Sequence, residues 1–202
     1  MSEISRRDEN AAATRAAIVA GAIRLFSEDG YARASMDRIA ASARVTKGAA
    51  YHYFPAKREL FLAALEAVDE RTMTAIAEAT ASARSPWDAV ERGLDAFLDR
   101  CLDVDYQRIC FRDGPGALGF VPWWEHAESH VHGVLTDVIG ALRTDESIAV
   151  ADTTATATAL YGSLTAAALA ITRSADPRQT RDAMGRTILA LLHGLRPAHA
   201  GA

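Results

Sequence analysis

Lys47, Gly48, Ala49, Tyr51, His52 and Tyr53 fall in one short stretch, and Lys57 follows it. The chemistry these residue types offer is non-covalent recognition of an anionic polymer. Lys47 supplies a cation, Gly48 and Ala49 are small enough to let a backbone come close to a duplex, and the Tyr51 and Tyr53 hydroxyls can reach phosphates. Ala49 carries no hydrogen-bonding group, so direct readout there is limited to contact with a thymine methyl.

A second set could do other chemistry. His126 and His130 are four apart, so both can face one ion from one side of a helix, with His132 close by. Cys101, Cys110 and Glu125 are further donors by type alone. No Cys-x-x-Cys or His-Glu-x-x-His spacing fixes a geometry. No metal and no cofactor is therefore expected, and a metal- or thiol-responsive site stays as an alternative. There is no Gly-x-Ser-x-Gly elbow and no phosphate-cradling glycine loop ending in Lys-Ser/Thr. An enzyme would have to be built on Asp113, His126 and Cys110, and none is expected.

The elements that must position the first set run from Ser35 to Leu60. Met36, Ile39, Ala40 and Ala43 stand at i, i+3, i+4 and i+7 and so share one helix face. Ser35 precedes them as an N-cap, and Thr46 opens a second helical stretch that Pro55 ends. Two short helices across a tight turn form a helix-turn-helix, whose second helix can enter a DNA major groove. Upstream, a polar arm to about Ala11 leads into a helix from Ala12 to Asp29 with Ile18, Ala22, Leu25 and Phe26 on its stripe, and Gly30 ends it. Phe26 and Phe54 are expected as core partners. Downstream, a long helix from Lys57 to about Ala83 carries Leu60, Phe61, Ala64, Leu65 and Val68.

Gly30-Tyr31, Ser35-Met36-x-x-Ile39-Ala40 and Val45-Thr46-Lys47-Gly48-Ala49-x-Tyr51-x-Tyr53-Phe54-x-x-Lys57-x-x-Leu60 together resemble the DNA-binding domain of TetR-type transcriptional repressors. The resemblance covers about residues 12–65. It implies an all-α protein with a helix-turn-helix domain over 12–60, a linking helix from 57 to about 83, and an effector-binding and dimerisation domain over 84–196. It places Thr46, Lys47, Gly48, Ala49, Tyr51, His52 and Tyr53 toward DNA, and Ser35 and Lys57 at phosphates. The partners it implies are a double-stranded operator, a second copy of the chain and an unidentified small-molecule effector.

The rest of the chain is read on that basis. Arg84-Ser85-Pro86 marks a boundary, with Ser85 as cap and Pro86 in the first turn of a new helix. That helix carries Trp87, Val90, Leu94, Phe97, Leu98 and Cys101 at helical spacing to about Val104. Residues 107–120 hold three glycines and a proline within six positions and are expected to be irregular. Their Asp113-Gly114-Pro115-x-x-Leu118-Gly119 run is similar to a loop in one branch of the family. Pro122 restarts a helix to about Leu142. The effector site implied by the resemblance draws on Phe97, Cys101, Phe111, Phe120, Trp123, Trp124, Ala127 and His130, with Arg108, Asp113 and His126 as further polar groups. Helices near 152–172 and 178–195 are expected to pair with a second copy through Leu160, Leu164, Ala168, Ile188, Leu191 and Leu192.

The chain of 202 residues is 50% hydrophobic and 24% charged, which suits one or two compact soluble domains. A polar N-terminus without an apolar core and the absence of an uninterrupted apolar run of eighteen point to a cytoplasmic location and no membrane partner. The net charge of −4 divides unevenly. Residues 1–60 hold ten Lys/Arg against seven Asp/Glu, or +3, which leaves −7 for the remainder. That asymmetry suits a small basic reading head on an acidic body.

Overall fold

The computed structural model describes residues 6–197, the side chains of Arg6, Arg7 and His130 excepted. Every regular element among the described residues is a helix: α1 (Arg6–Asp29), α2 (Met36–Ser42), α3 (Lys47–Tyr53), α4 (Lys57–Thr80), α5 (Pro86–Arg100), a one-turn α6 (Val104–Tyr106), a π-helix π1 (Gln107–Asp113), α7 (Gly114–Leu118), α8 (Phe120–Thr144), α9 (Thr153–Arg173) and α10 (Pro177–His193). The all-α reading holds.

Two expectations on helix extent are corrected. α1 begins at Arg6, so residues 6–11 are helix and not an arm. Residues 104–118 are also helical, because Pro115 sits in the first turn of α7, where its missing N–H costs nothing. Gly114 takes helical angles, and the left-handed break falls at Gly119, with φ 89°.

The chain divides into two compact units. The first unit holds the chain up to Arg71 together with Val104–Phe120; the second holds Thr72–Asp103 and the chain from Val121.

In the first unit Ile18, Ala22 and Phe26 of α1, Ile39 of α2 and Leu60, Phe61, Ala64 and Val68 of α4 are fully buried or nearly so. Phe26 meets the rings of Phe61 at 5.1 Å and Tyr31 at 6.0 Å. Phe54 is buried too, with the Arg15 guanidinium 5.1 Å over its ring. Arg24 of α1 reaches the Ser42 hydroxyl at the end of α2.

The second unit is built on α9. This helix is long and apolar enough by composition to cross a membrane, although no single run in it is uninterrupted. Its buried stripe of Ala157, Tyr161, Thr165, Ala168 and Ile171 lies in the core, and α10 packs against it. α10 packs also on α5, where a Cβ added to Gly185 would stand 3.1 Å from Leu98 Cδ1. Ile139, Leu142 and Ile148 form a further cluster with Trp87, Val90 and Leu195 against them.

Candidate nucleic-acid interface

The short helices form because their first turns are capped from within. The Ser35 hydroxyl accepts from the Arg38 amide at 3.3 Å, and the Thr46 hydroxyl accepts from the Ala49 amide at 3.1 Å. The turn between them is a Schellman closure. The Val45 amide donates to the Ala40 carbonyl at 3.0 Å and the Arg44 amide to Ala41 at 3.1 Å. Arg44 therefore sits in the left-handed region with φ 57°, where glycine is the inexpensive residue.

α3 buries Ala50, and Phe54 at its end is buried as well. Its other side is open. Thr46, Lys47, Gly48, Tyr51 and His52 are exposed, and Ala49 and Tyr53 are half-buried. A Cβ added to Gly48 would meet nothing within 4 Å. Packing inside the chain thus gives no reason for the missing side chain. Lys47 pairs with Asp37 of α2 at 2.9 Å, and the carboxylate holds the ammonium pKa up through its hydrogen bond and its charge. The His52 and Tyr53 rings meet edge to face at 5.5 Å.

The Lys57 ammonium, to which the resemblance assigns a phosphate, is engaged with backbone. It donates to the carbonyls of Tyr31 at 2.8 Å and Ala34 at 3.2 Å, lies 3.5 Å from that of Ala32, and rests 4.4 Å over the Tyr31 ring. An ammonium has three hydrogens, and here they face backbone acceptors that would otherwise lose their partner.

The comparisons with known proteins bear on this arrangement. The family description "Bacterial regulatory proteins, tetR family" matches residues 18–64, and "Tetracyclin repressor-like, C-terminal domain" matches residues 87–195. The chain belongs to the TetR family. A TetR-family transcriptional regulator from Pectobacterium atrosepticum is 30% identical, with a TM-score of 0.83 over 96% of this chain and 99% of that one. An uncharacterized HTH-type transcriptional regulator of Bacillus subtilis, YuxN, is 33% identical over 112 residues. The match spans 55% of this chain but only 37% of that relative's length. The solved structure of RolR in complex with resorcinol shares the fold at 20% identity, with a TM-score of 0.68 over 94% of this chain and 98% of that one. TetR-family membership makes the chain a DNA-binding regulator, and α2–α3 is its helix-turn-helix.

Phe111 and Phe120 belong to the first unit, whereas Phe97, Cys101, Trp123, Trp124, Ala127 and His130 belong to the second. The Tyr106 and Phe111 rings meet at 5.2 Å, and Phe120 is exposed. Trp123 and Cys101 are buried, and Phe97 is half-buried. Trp124 stacks edge to face on Tyr161 at 4.9 Å and, with Ala127, packs on the Leu135–Ala157–Tyr161 cluster. The side chain of His130 lies outside the described residues. Arg108 and Asp113 bond to the α1–α2 corner.

The dimer residues divide as well. Ala168, Ile188 and Leu192 are buried inside the protomer. Leu160 and Leu164 keep some exposure, and Leu191 is 61% exposed. The two free cysteines are both buried. Burial pushes the Cys101 thiol well above the usual range, which leaves it a poor thiolate. Among the described residues no three His, Cys, Asp or Glu side chains come together as a metal-holding group.

Sequence reasoning missed Arg44. It is exposed beside α3 in a backbone conformation that costs an L-residue about 1–2 kcal/mol. Its sequence signal was a cation standing in a tight turn, where glycine or asparagine is the ordinary choice.

Proposed function

We propose that the chain is a dimeric repressor that binds a palindromic operator through α3 and releases it when a small, largely apolar molecule binds. The observation that carries the DNA contact is the outer side of α3. It combines an exposed cation, exposed phenol and imidazole rings, and a glycine with open space around it. Thr46, Lys47, Gly48, Ala49, Tyr51, His52 and Tyr53 face the groove in this reading. Ser35 and Arg44 lie at phosphates, and Lys57 acts from behind by holding the corner.

One α3 makes a small groove contact, so useful affinity needs two heads on half-sites about 34–36 Å apart or more. The exposed Leu191 of α10, with Leu160 and Leu164, supports pairing through α9 and α10. The effector reading is supported by RolR, which holds resorcinol on the same fold, and by the Trp123–Trp124–Tyr161 aromatic group in the second unit. Pockets for such ligands are lined mainly by apolar groups.

The test is selection of duplexes from a random pool, followed by a screen for compounds that release the selected duplex. The expected result is a palindromic duplex whose retention the Lys47→Ala/Arg44→Ala pair abolishes. Equal retention by that pair would remove α3 and its turn from the interface. An aromatic compound that releases DNA must in turn bind more weakly to the DNA complex by the same factor, about 5- to 150-fold for a typical coupling.

A further inference from the structure

The first unit contains a segment, Val104–Phe120, that enters it from far along the chain. Part of that segment is a π-helix, and the register matters. In an α-helix residues five apart point about 140° away from each other, at 100° per residue. In a π turn the backbone bonds run from i to i+5, so residues five apart stack. Arg108 and Asp113 are five apart in π1, and their side chains meet, Nε to Oδ2 at 3.4 Å.

This stacked pair grips the corner at the end of α1. Arg108 Nη2 donates to the Asp29 carbonyl at 3.2 Å, and the Asp113 carboxylate accepts from the Tyr31 amide at 2.7 Å. The two bonds hold the peptide groups on either side of Gly30. Gly30 is left-handed, with φ 82°, and a Cβ built on it would stand 2.2 Å from Arg108 Nη2. The guanidinium therefore occupies the room a side chain would need. Arg58 of α4 fastens the other end of the segment by donating to the Leu118 carbonyl at 3.0 Å. The next carbonyls of the same corner are those that Lys57 holds.

We propose that Arg108 and Asp113 are positioning residues for DNA binding, bracketing Gly30 so that the α1–α2 corner presents α2 and α3 at one fixed angle. The inference rests on the DNA-binding reading above and adds to it two residues that touch no DNA. Charge alone predicts the opposite behaviour. Asp113 is an anion in the DNA-binding unit, so its removal should tighten binding by electrostatics, whereas loss of the bracket weakens it.

The experiment uses the full chain and a duplex selected from a random pool by the unmodified protein, at a temperature well below the melting of each variant. Asp113→Ala is expected to weaken the selected duplex within the 5- to 150-fold range of typical couplings. Its salt dependence should be unchanged, and the Tyr31 amide should exchange faster in the protein alone. Asp113→Asn keeps an acceptor oxygen and should recover most of the affinity. Arg108→Lys keeps the charge but cannot reach both partners, and should weaken binding in the same direction if Asp113→Ala folds poorly. Equal or tighter binding by Asp113→Ala, or an unchanged Tyr31 amide, overturns the bracket. A fall of about one unit in the salt slope of Arg108→Ala makes Arg108 a direct phosphate contact and also overturns it. If the unmodified protein selects no duplex, the DNA reading itself fails, whereas selection with an indifferent Asp113→Ala sinks this inference alone.

Discussion

The α1–α2 corner and the α9–α10 pair are held together by different physics. At the corner, charged side chains bond to backbone: Arg108 and Arg33 to the Asp29 carbonyl, Asp113 to the Tyr31 amide, Lys57 to the Tyr31 and Ala34 carbonyls. In the pair, apolar side chains and small residues do the work, with Ala168, Ile171, Ile188 and Leu192 buried. The charged Arg181–Asp95–Asp99 group sits at the margin of α10. Charge-assisted hydrogen bonds demand a direction, and apolar contact mostly demands volume. A head that must match a DNA groove needs the first kind of constraint. A helix pair that only has to exclude water can use the second.

The contrast breaks most plainly at two adjacent residues of α10. Leu192→Asp places an unpaired charge in the core and should cost about 3–5 kcal/mol, read by urea denaturation. At the corner, Gly30→Ala meets both the left-handed penalty of about 1–2 kcal/mol and displacement of the Arg108 guanidinium. It should cost more in the unmodified background than with Arg108→Ala, a difference thermal melting of the four proteins would show. Lys57→Met removes the donor that faces the Tyr31 and Ala34 carbonyls and should cost about 1–3 kcal/mol. If Lys57 braces the corner and does not hold a phosphate, the salt slope of DNA binding stays the same in that variant.

Two smaller effects sharpen the comparison. Arg44→Gly relieves the left-handed strain and loosens the unfolded chain, for a net gain of about 0.5–1 kcal/mol in stability. In the same variant DNA affinity should fall and the salt slope drop by about one. Stability and binding moving in opposite directions would mark Arg44 as a contact kept at a structural cost. Leu191→Asp should change protomer stability by no more than about 0.5 kcal/mol, since Leu191 lies outside the core. It should nonetheless convert a dimer to a monomer by light scattering, and an unaltered dimer would move the interface elsewhere.

Much of the reading head is determined by the sequence alone, because its causes are local. Ser35 and Thr46 cap helices three residues ahead of them, and Met36, Ile39 and Ala40 bury as their spacing requires. Ser85 and Pro86 likewise start α5 where the residue types say a helix should start. The tertiary structure decided what depends on residues far apart. Glycine and proline content suggested an irregular 107–120, yet Pro115 falls in a first turn and the stretch is helical. Neither composition nor a 3.6-residue period reveals a π register, so nothing in the sequence stacks Arg108 on Asp113 or sends them to Gly30, 78 and 83 positions away. Leu191 and Leu192 look alike as neighbours in a sequence. The direction in which α9 and α5 lie from α10 makes one of them core and leaves the other on the surface.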